Sequence, residues 1–533
     1  MTQSPKIEAA GPRPRVGFVS LGCPKNLVDS EVMMGLLDRA GAEITPSAES
    51  AEILVVNTCS FIDKAKQESV DAILEMARLK TEGSARKLIV AGCLVERYRD
   101  EIQKNIPEVD AVVGTGELES ILAAVGLNPA PAPASSSSPF NILSASQAST
   151  SADVRPGREA LAGTHQPDAF RPEGDRREAQ GRFSRATWDG AAAALPQYLY
   201  DHTTPRLRTT RSASAYIKIA EGCDHPCTFC VIPNLRGKFR SRRFESVVAE
   251  AEALVAEGVR EITLIGQDTT CYGEDLGLKD GLAALLDRLA RIPGLVWLRF
   301  LYAYPNRITG KLLETIARHG NICKYLDVPL QHASGAVLKT MKRGAGADIF
   351  LKMVEKVRAN VPNIALRTSF IVGFPGETDA DFEALCDFVV ETKFDWLGVF
   401  SYSDEEGSRA FDLAAKVPKR VIEQRRRALM KLQKGLSRQS KRALVGSTFD
   451  VLVEGESAET PLLWEGRTQY HAPEIDGTVY LNDFGPFESL TPGRFYRCEV
   501  TEAHDYDLVA RVLDASSIDP TPDRAPELVG ASL

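Results

Sequence analysis

The sequence has no long apolar segment and no excess of positive charge. No run of about 18 apolar residues occurs in the chain, so we expect no membrane span. The N-terminal stretch MTQSPKIEAAGPRPR also lacks the apolar region of a secretory signal. Lys and Arg number 64 against 72 Asp and Glu, and the net charge of −8 gives no global attraction to nucleic acid. These absences favour a cytoplasmic protein without a membrane partner.

The length and the cysteine content set two further bounds. A chain of 533 residues, 44% hydrophobic and 26% charged, is too long for one hydrophobic core. We expect about two to four ordinary globular domains. The ten cysteines should be reduced in the cytoplasm. Clustered cysteines in such a protein are more often metal ligands than disulfides.

Apolar strands alternate with helical patterns in the first part of the chain. Strands are predicted near 15–21, 53–58, 87–92 and 110–113, each followed by a segment with helical periodicity. This alternation is typical of βαβ units with a parallel sheet. We assign residues 13–126 to an N-terminal α/β domain.

A change of composition follows this domain. The segment over 127–200 is rich in Ala, Ser, Pro and charged residues and has few large apolar ones. Such a segment cannot bury enough surface to offset its ordering entropy. We interpret it as a disordered insertion or linker, with a partner-binding arm as the alternative.

A second series of six strands and intervening helices extends over about 213–415. The strands are predicted in AYIKIAE, EITLIGQ, WLRFLYAYP, YLDVPLQ, ALRTSFIVGFP and WLGVFSYS. Six such repeats favour a partial (β/α)6 barrel, whose working face is the carboxyl end of the strands. We assign this domain to residues 205–440.

The chain ends with a basic helix and a β-rich segment. The helix predicted over 419–442 has ten Lys and Arg against one Glu, and we interpret it as a solvated connecting helix rather than a nucleic-acid contact. Strand-like runs over 446–512, broken by Gly, Pro and Asp, predict a small all-β barrel of OB-like character over 443–513. A loose tail is expected over 514–533.

Three cysteines with the spacing C-x3-C-x2-C follow the first strand of the barrel. Cys223, Cys227 and Cys230 lie in EGCDHPCTFC. A structural zinc site closes with four ligands, and no suitable fourth Cys or His is near, since His225 lies between the cysteines. Ordinary four-iron clusters also take four cysteines, so three would leave one iron open for a ligand. A structural zinc loop is the alternative.

This stretch resembles the cluster motif of the radical S-adenosylmethionine (SAM) superfamily. The resemblance implies that Cys223, Cys227 and Cys230 hold a [4Fe–4S] cluster, that SAM binds its open iron, and that a 5′-deoxyadenosyl radical forms. Phe229 and the following VIP would flank the adenine. FIVGFPGE at 370–377 resembles the glycine-rich stretch along the adenosine, although Glu377 falls one residue later than the common spacing and receives no role.

Polar residues at other strand ends of the barrel are candidates for ligand contacts. They are Gln267, Asp268, Gln331 and His332. Each of them would equally serve as a residue that caps a loop.

Three further cysteines stand at the ends of three strands in the first domain. Cys23, Cys59 and Cys93 follow VGFVSLG, ILVVNT and KLIVAG. Neighbouring parallel strands lie about 4.8 Å apart and end at one edge, so these thiols can converge on one object of cluster size. The alternative is that they are buried small residues. Cys271, Cys323, Cys386 and Cys498 have no spacing partner and are interpreted as packing residues.

Together these motifs resemble the methylthiotransferase family of radical SAM enzymes. The stretches are SLGCPKNLVDSE, VNTCSFIDKAKQES, AGCLVERY and GCDHPCTFCVIPNLRGKFRSR, with a terminal β-barrel. The resemblance implies a second [4Fe–4S] cluster on Cys23, Cys59 and Cys93, a radical SAM barrel and a TRAM domain. It also implies that one SAM methylates sulfur, a second generates the radical, and a methylthio group is transferred to a substrate carbon.

The charge of the last domain bears on the substrate. Residues 446–512 hold thirteen Asp and Glu, four Arg and no Lys. Such a surface repels phosphate and attracts a basic protein, or it only confers solubility. The stretches SLGCPKNLVDSE and APEIDG resemble the branch that acts on an aspartate of small-subunit ribosomal protein twelve. The tRNA enzymes typically have GCQMN instead of GCPKN.

The resemblance thus implies β-methylthiolation of that aspartate. It also implies an electron donor such as flavodoxin, a monomeric enzyme and a substrate that is free or on the ribosomal particle. The alternative is a tRNA adenosine methylthiotransferase. The basic helix over 419–442 fits the choice less well, because it could contact RNA on a ribosomal particle or a tRNA. A non-catalytic RNA-binding scaffold stabilised by zinc is the third hypothesis.

Overall fold

The computed structural model describes residues 13–128, 196–210, 213–458, 460 and 462–520. Most of the predicted insertion over 127–200 and of the predicted tail over 514–533 lies outside these residues. Within the described part of the chain, no helix is both long and apolar enough to cross a membrane.

The first domain is a five-stranded, all-parallel sheet with helices between its strands. The strands are β1 (Arg15–Ser20), β2 (Glu43–Thr45), β3 (Ile53–Thr58), β4 (Lys87–Gly92) and β5 (Ala111–Val113). Their order is β2-β1-β3-β4-β5, so the three strands that precede cysteines are neighbours. The helices are α1 (Pro24–Arg39), α2 (Asp63–Glu82), α3 (Cys93–Asn105) and α4 (Ile121–Val125). The edge strand β2 was not predicted, because a three-residue strand with one apolar residue has no detectable pattern.

The central domain contains six parallel strands that follow one another in chain order. These elements are β6 (Ser214–Lys218), the short pair β7 (Ala220–Glu221) and β8 (Arg240–Ser241), β9 (Glu261–Ile265), β10 (Trp297–Phe300), β11 (Tyr325–Asp327), β12 (Ala365–Val372) and β13 (Trp396–Ser401). Two three-stranded parallel sheets, β10-β9-β6 and β11-β12-β13, are joined by a bridge between Leu298 and Ile322. The result is the predicted partial barrel.

Helices cover the outside of this barrel. They are α5 (Ile232–Arg236), α6 (Phe244–Ala256), α7 (Gly281–Leu289), α8 (Gly310–Arg318), α9 (Gly335–Thr340), α10 (Ala347–Asn360) and α11 (Asp379–Thr392). Apolar side chains of the helices and strands form one continuous core. The short helices α5 and α9 were not predicted, because five or six residues are too few to show a helical period.

The basic helix α12 (Lys419–Arg442) has the bounds that its sequence predicts. It packs against β13 and α11. Several of its cations have acidic partners within the chain: Arg425 bonds Glu377 at 2.9 Å, while Lys434 and Arg438 both bond Asp505 of the last domain at 2.5 Å. The helix therefore joins the barrel to the last domain, as its interpretation as a connecting helix requires.

The last domain is a closed five-stranded barrel. Its strands are β14 (Thr448–Glu456), β15 (Trp464–Arg467), β16 (Val479–Asp483), β17 (Phe495–Ala503) and β18 (Leu508–Ala515), in the order β14-β15-β16-β18-β17. Its apolar residues form a separate core. The predicted small all-β barrel is confirmed.

A segment of the last domain, residues 467–476, closes the amino-terminal end of the large barrel. We call it the plug segment. The indole Nε1 of Trp396, at the start of β13, donates to the carbonyl of Tyr470 at 2.8 Å. The hydroxyl of Tyr325, at the start of β11, donates to Asp476 at 2.7 Å. The last domain thus lies at the end of the strands opposite to the predicted working face.

Glu261, the first residue of β9, is the centre of this contact. Its carboxylate accepts from Arg467 at 2.6 Å, Arg299 at 3.2 Å and Ser214 at 2.9 Å, and it is fully buried. Burial raises the pKa of Glu261, but the charges of Arg467 and Arg299 outweigh burial and lower this pKa to about 2. One carboxylate therefore joins two domains.

Candidate functional site

The first domain brings Cys23, Cys59 and Cys93 together at the carboxyl ends of three adjacent strands. Cys23 precedes α1, Cys59 directly follows β3, and Cys93 is the first residue of α3. Burial is the largest cause of the raised pKa of Cys93, and negative charge on Cys59 or Cys23 adds to it. The convergence expected from parallel-strand geometry is present.

Two glycines permit this close approach. Gly22 has a φ of +92°, and a Cβ built there would lie 3.0 Å from the Sγ and 2.7 Å from the Cβ of Cys59. Gly92 has a φ of +94°, and a Cβ there would lie 2.3 Å from the Oδ1 of Asn57. Only a residue without a side chain brings these loops around the three thiols.

Cations surround these thiols. The pKa of Cys23 is raised by burial, but the charges of Lys25 and Arg236 outweigh burial and the net shift is downward. Burial raises the pKa of Cys93 to about 12, although the guanidinium of Arg236 opposes this. The Nη2 of Arg236 lies 3.4 Å from the Sγ of Cys93. These cations suit a site in which thiols bind as thiolates, which a metal achieves by displacing the proton.

Cys223, Cys227 and Cys230 lie on one loop between β7 and α5. Burial, together with negative charge on Cys227, raises the pKa of Cys223 to about 11 and that of Cys230 to about 12. Arg343 Nη1 lies 3.7 Å from the Sγ of Cys227. This loop is the second site where three thiols converge.

The spacing of the sulfurs distinguishes a cluster from a single metal ion. Zinc binds sulfur at about 2.3 Å, so sulfurs that share one zinc are at most about 4.6 Å apart. Among the described residues, only His225, Asp268 and Cys271 place three potential ligand atoms within 4.8 Å of one another. Neither cysteine triplet meets this criterion for a single ion.

Asp268, a candidate from the sequence, holds the loop of Cys223, Cys227 and Cys230 in place and does not face an open site. Its carboxylate lies 2.6 Å from the Nε2 of His225 and accepts from Cys271 at 3.0 Å. The imidazole of His225 also stacks on Tyr304, with ring centroids 3.8 Å apart. Cys271, which we interpreted as a packing residue, thus has a hydrogen-bond partner. His225 positions the part of the loop that lies between the cysteines.

Phe229 lies against the glycine-rich stretch that the sequence associates with the adenosine. Both Phe229 and Phe374 belong to a small apolar cluster with Met341. Glu377 accepts from the backbone N–H groups of Gly373 and Phe374 at 2.6 and 3.2 Å, so its carboxylate shapes this stretch from behind. Glu377 therefore holds the backbone of the glycine-rich stretch, a role that its position in the sequence did not indicate.

The remaining candidates differ in their environment. His332 is fully buried, and burial lowers its pKa to about 4, so it is a neutral packing residue behind the site. Gln267 donates to Glu221 at 2.6 Å. Gln331 has a φ of +74° and remains partly exposed at a strand end. Such a strained backbone is typical of functional positions.

One apolar side chain connects the two cysteine triplets. Val231, directly after Cys230, is fully buried and packs with Cys93 and Leu235. One side chain of the barrel loop thus touches a cysteine of the first domain. The two sites face each other across the contact between the domains.

A buried network of charges holds this contact. Asp29 of α1 bonds Arg236 at 2.7 Å and also bonds Lys218, and Lys218 bonds Glu221 at 2.5 Å. Arg236 also donates to Asn26 at 3.2 Å. Sequence analysis missed this network, because its two halves are 189 to 210 residues apart in the chain and each residue is ordinary in its own segment.

Three segments of the chain match known families. Residues 15–114 match the uncharacterized protein family UPF0004, residues 217–389 match the radical SAM superfamily, and residues 445–513 match the TRAM domain. The solved structure of the radical SAM methyltransferase TsrM from Kitasatospora setae is similar over 73% of each chain, with a TM-score of 0.45 and 15% identity.

Curated relatives cover nearly the whole chain. Ribosomal protein uS12 methylthiotransferase RimO of Koribacter versatilis (strain Ellin345) is 67% identical over 499 residues, 94% of this chain and 96% of the relative. The enzyme of the same name from Solibacter usitatus (strain Ellin6076) is 53% identical over 97% of this chain and 98% of the relative. This chain belongs to the uS12 methylthiotransferase (RimO) family. As a RimO-family member of the radical SAM superfamily, it is a methylthiotransferase that uses SAM and a [4Fe–4S] cluster.

Proposed function

We propose that this protein adds a methylthio group to the β-carbon of an aspartate in ribosomal protein uS12, using two [4Fe–4S] clusters. The observation that carries the proposal is the contact between the two cysteine triplets through Val231. Methylthio transfer needs a radical at a carbon and a sulfur atom beside it. Two facing centres supply both at one place. The names of relatives at up to 67% identity support uS12 as the substrate.

In this proposal Cys223, Cys227 and Cys230 hold one cluster, and Cys23, Cys59 and Cys93 hold the other. When bound, the first would supply the electron that cleaves SAM and the second would carry the sulfur that becomes the methylthio group. The contacts of Arg236 with Cys93 and of His225 with Asp268 hold the two loops in place, and Val231 packs against Cys93. Phe229 would contact the adenine of SAM.

The charge of the TRAM domain supports a basic protein as substrate rather than tRNA. Its exposed residues include Glu456, Asp483, Glu488 and Glu502. The basic helix α12, which suited a nucleic acid, has several cations bonded to acids within the chain. The acidic TRAM surface is unlike the basic grooves that bind RNA. Helix α12 keeps exposed cations such as Arg420, Arg427 and Lys431, so the choice of substrate rests on the TRAM charge and on the relatives.

The proposal includes several points that come from the family resemblance. We assign residues 13–126 to the cluster domain, 205–440 to the radical SAM domain and 443–513 to the TRAM domain. The enzyme would act as a monomer in the cytoplasm, on uS12 that is free or on the ribosomal particle. It would receive electrons from a donor such as flavodoxin.

The deciding experiment compares both substrate classes. Reconstituted enzyme is incubated anaerobically with SAM, a reductant and either a uS12 peptide or tRNA, and mass spectrometry follows the gain of one methylthio group. We expect the gain on aspartate of the peptide. A gain on tRNA nucleosides would overturn the choice of substrate. Metal analysis should find about eight irons per chain and no zinc, whereas zinc would favour a scaffold.

Two triple variants test the division of labour. Replacing Cys223, Cys227 and Cys230 by Ala should abolish formation of 5′-deoxyadenosine. Replacing Cys23, Cys59 and Cys93 by Ala should abolish sulfur insertion but leave some SAM cleavage. Normal methylthiolation by the second variant would contradict the two-cluster scheme.

A further inference from the structure

Lys25 presents a buried positive charge at the contact between the two domains. Lys25 is only 9% exposed. Its Nζ lies 3.4 Å from the carbonyl of Gly266 and 3.4 Å from the centroid of the Tyr302 ring. Within the described part of the chain, no carboxylate lies within 4.0 Å of this ammonium. A carbonyl and a ring face offset only part of the cost of burying a charge.

The acids around Lys25 are bonded to other cations. Asp29 and Glu221 share Lys218 and Arg236, and Glu31, farther along α1, bonds Arg206 at 2.6 Å. Asp327, which accepts from the backbone N–H of Tyr302, bonds Arg367 at 2.8 Å. Lys25 is thus a cation of this contact without a carboxylate partner among the described residues. Its charge also acts on the Cys23 thiol, and an ammonium has three N–H donors, so it can accept an additional anion from outside the chain.

The position of the ammonium connects it to both cysteine triplets. Lys25 is two residues after Cys23, and its side chain reaches Gly266 at the carboxyl end of β9. Tyr302, under the ammonium, is two residues before Tyr304, which stacks on His225 inside the other triplet. The ammonium thus lies at the contact between the two domains, close in the fold to both triplets.

The backbone of Tyr302 is strained in this place. Its φ is +65°, an uncommon conformation for an aromatic residue. The N–H of Tyr302 donates to Asp327 at 3.0 Å, and its carbonyl accepts from the N–H of Thr269 at 3.2 Å. These bonds hold the ring beneath the ammonium. Strain of this kind is maintained where a precise side-chain position serves function.

We propose that Lys25 binds the side-chain carboxylate of the substrate aspartate and so selects the carbon that reacts. This inference rests on the proposed function. A carboxylate at the usual ammonium distance would place its β-carbon about 4–5 Å from Nζ. That carbon would lie between the two centres, where both the radical and the sulfur must reach it. Lys25 is a specificity-determining residue in this arrangement.

The test compares two peptides and matched variants. Binding to cluster-loaded enzyme is measured for a uS12 peptide with Asp at the target position and for the same peptide with Asn. Wild-type enzyme should prefer Asp by about tenfold or more. In Lys25→Met, which keeps the length of the side chain, the preference should vanish. Lys25→Arg should retain part of it, and Lys104→Met, an exposed lysine of α3, should leave it unchanged.

Other readouts separate this role from an effect on the cluster. Iron is measured in every variant, and peptide binding is compared per cluster-loaded chain, because the charge of Lys25 also acts on Cys23. The ratio of Asp to Asn binding does not depend on how many chains are loaded. An unchanged ratio in Lys25→Met would overturn the assignment of Lys25, as would loss of the ratio in Lys104→Met. If wild-type enzyme methylthiolates no Asp peptide at all, the proposed function itself fails, so the two failures are distinguishable.

Discussion

Under the proposed two-cluster scheme, replacing Arg236 by Met should release the cluster of the first domain while leaving that of the barrel in place. Arg236 balances Asp29 and Glu221 together with Lys218, so its loss leaves two buried carboxylates with one cation. Breaking a buried ion pair costs about 3–5 kcal/mol. Cys93 also loses its donor. We expect a lower unfolding temperature and a fall from about eight irons to about four after gel filtration with a chelator.

The control is Arg206→Met. Arg206 also crosses the contact between the domains and is buried, bonding Glu31 at 2.6 Å and Glu250 at 2.8 Å, but it has no cysteine among its hydrogen-bond partners. Calorimetry should show a similar loss of stability in both variants, whereas iron should be lost only from Arg236→Met. Equal iron retention in the two variants would refute the idea that Arg236 supports the thiolates.

Three further predictions concern other parts of the chain. The charges of Arg467 and Arg299 lower the pKa of Glu261 to about 2, below its ordinary 4.5, so ionised Glu261 contributes on the order of 3 kcal/mol to the free energy of unfolding. This contribution is complete above pH 4.5 and is lost as the pH falls toward 2. Acid unfolding followed by the fluorescence of Trp297 and Trp396 should show that loss of stability, and the Glu261→Gln variant should not show this dependence on pH. Glu377→Gln should weaken SAM binding by about 1–2 kcal/mol in calorimetry, since it loosens the glycine-rich stretch, and unchanged affinity would contradict this. Asp268→Ala should slow 5′-deoxyadenosine formation without loss of iron, and a normal rate would show that the cluster loop needs no such support.

Periodicity predicted the architecture because most strands are short apolar runs between long amphipathic helices. The position of Cys59 could be interpreted for the same reason: it follows ILVVNT, and parallel strands end at one edge. This reasoning required β1, β3 and β4 to be neighbours, which the structure confirms. The short β2 at the edge does not disturb their adjacency.

Contacts between domains could not be predicted in this way. The roles of Arg236 and Lys25 depend on which faces of two domains meet, and neither residue differs in its own segment from an ordinary surface cation. Glu377 is similar, because its partner Arg425 lies on a helix that the sequence identifies only as basic. The local sequence pattern determines where helices and strands form. Which side chains pair across two domains depends on how the folded domains pack against each other.

The plug segment changes how deletions of the TRAM domain should be interpreted. A chain cut before residue 443 would leave Glu261 with Arg299 but without Arg467, and would expose Trp396 and Tyr325 at the open end of the barrel. Such a protein would lose activity through misfolding whether or not TRAM touches uS12. Reversing the charge of the exposed Glu488 and Glu502 keeps the barrel closed, so those substitutions are the sound way to ask whether this domain recruits the substrate.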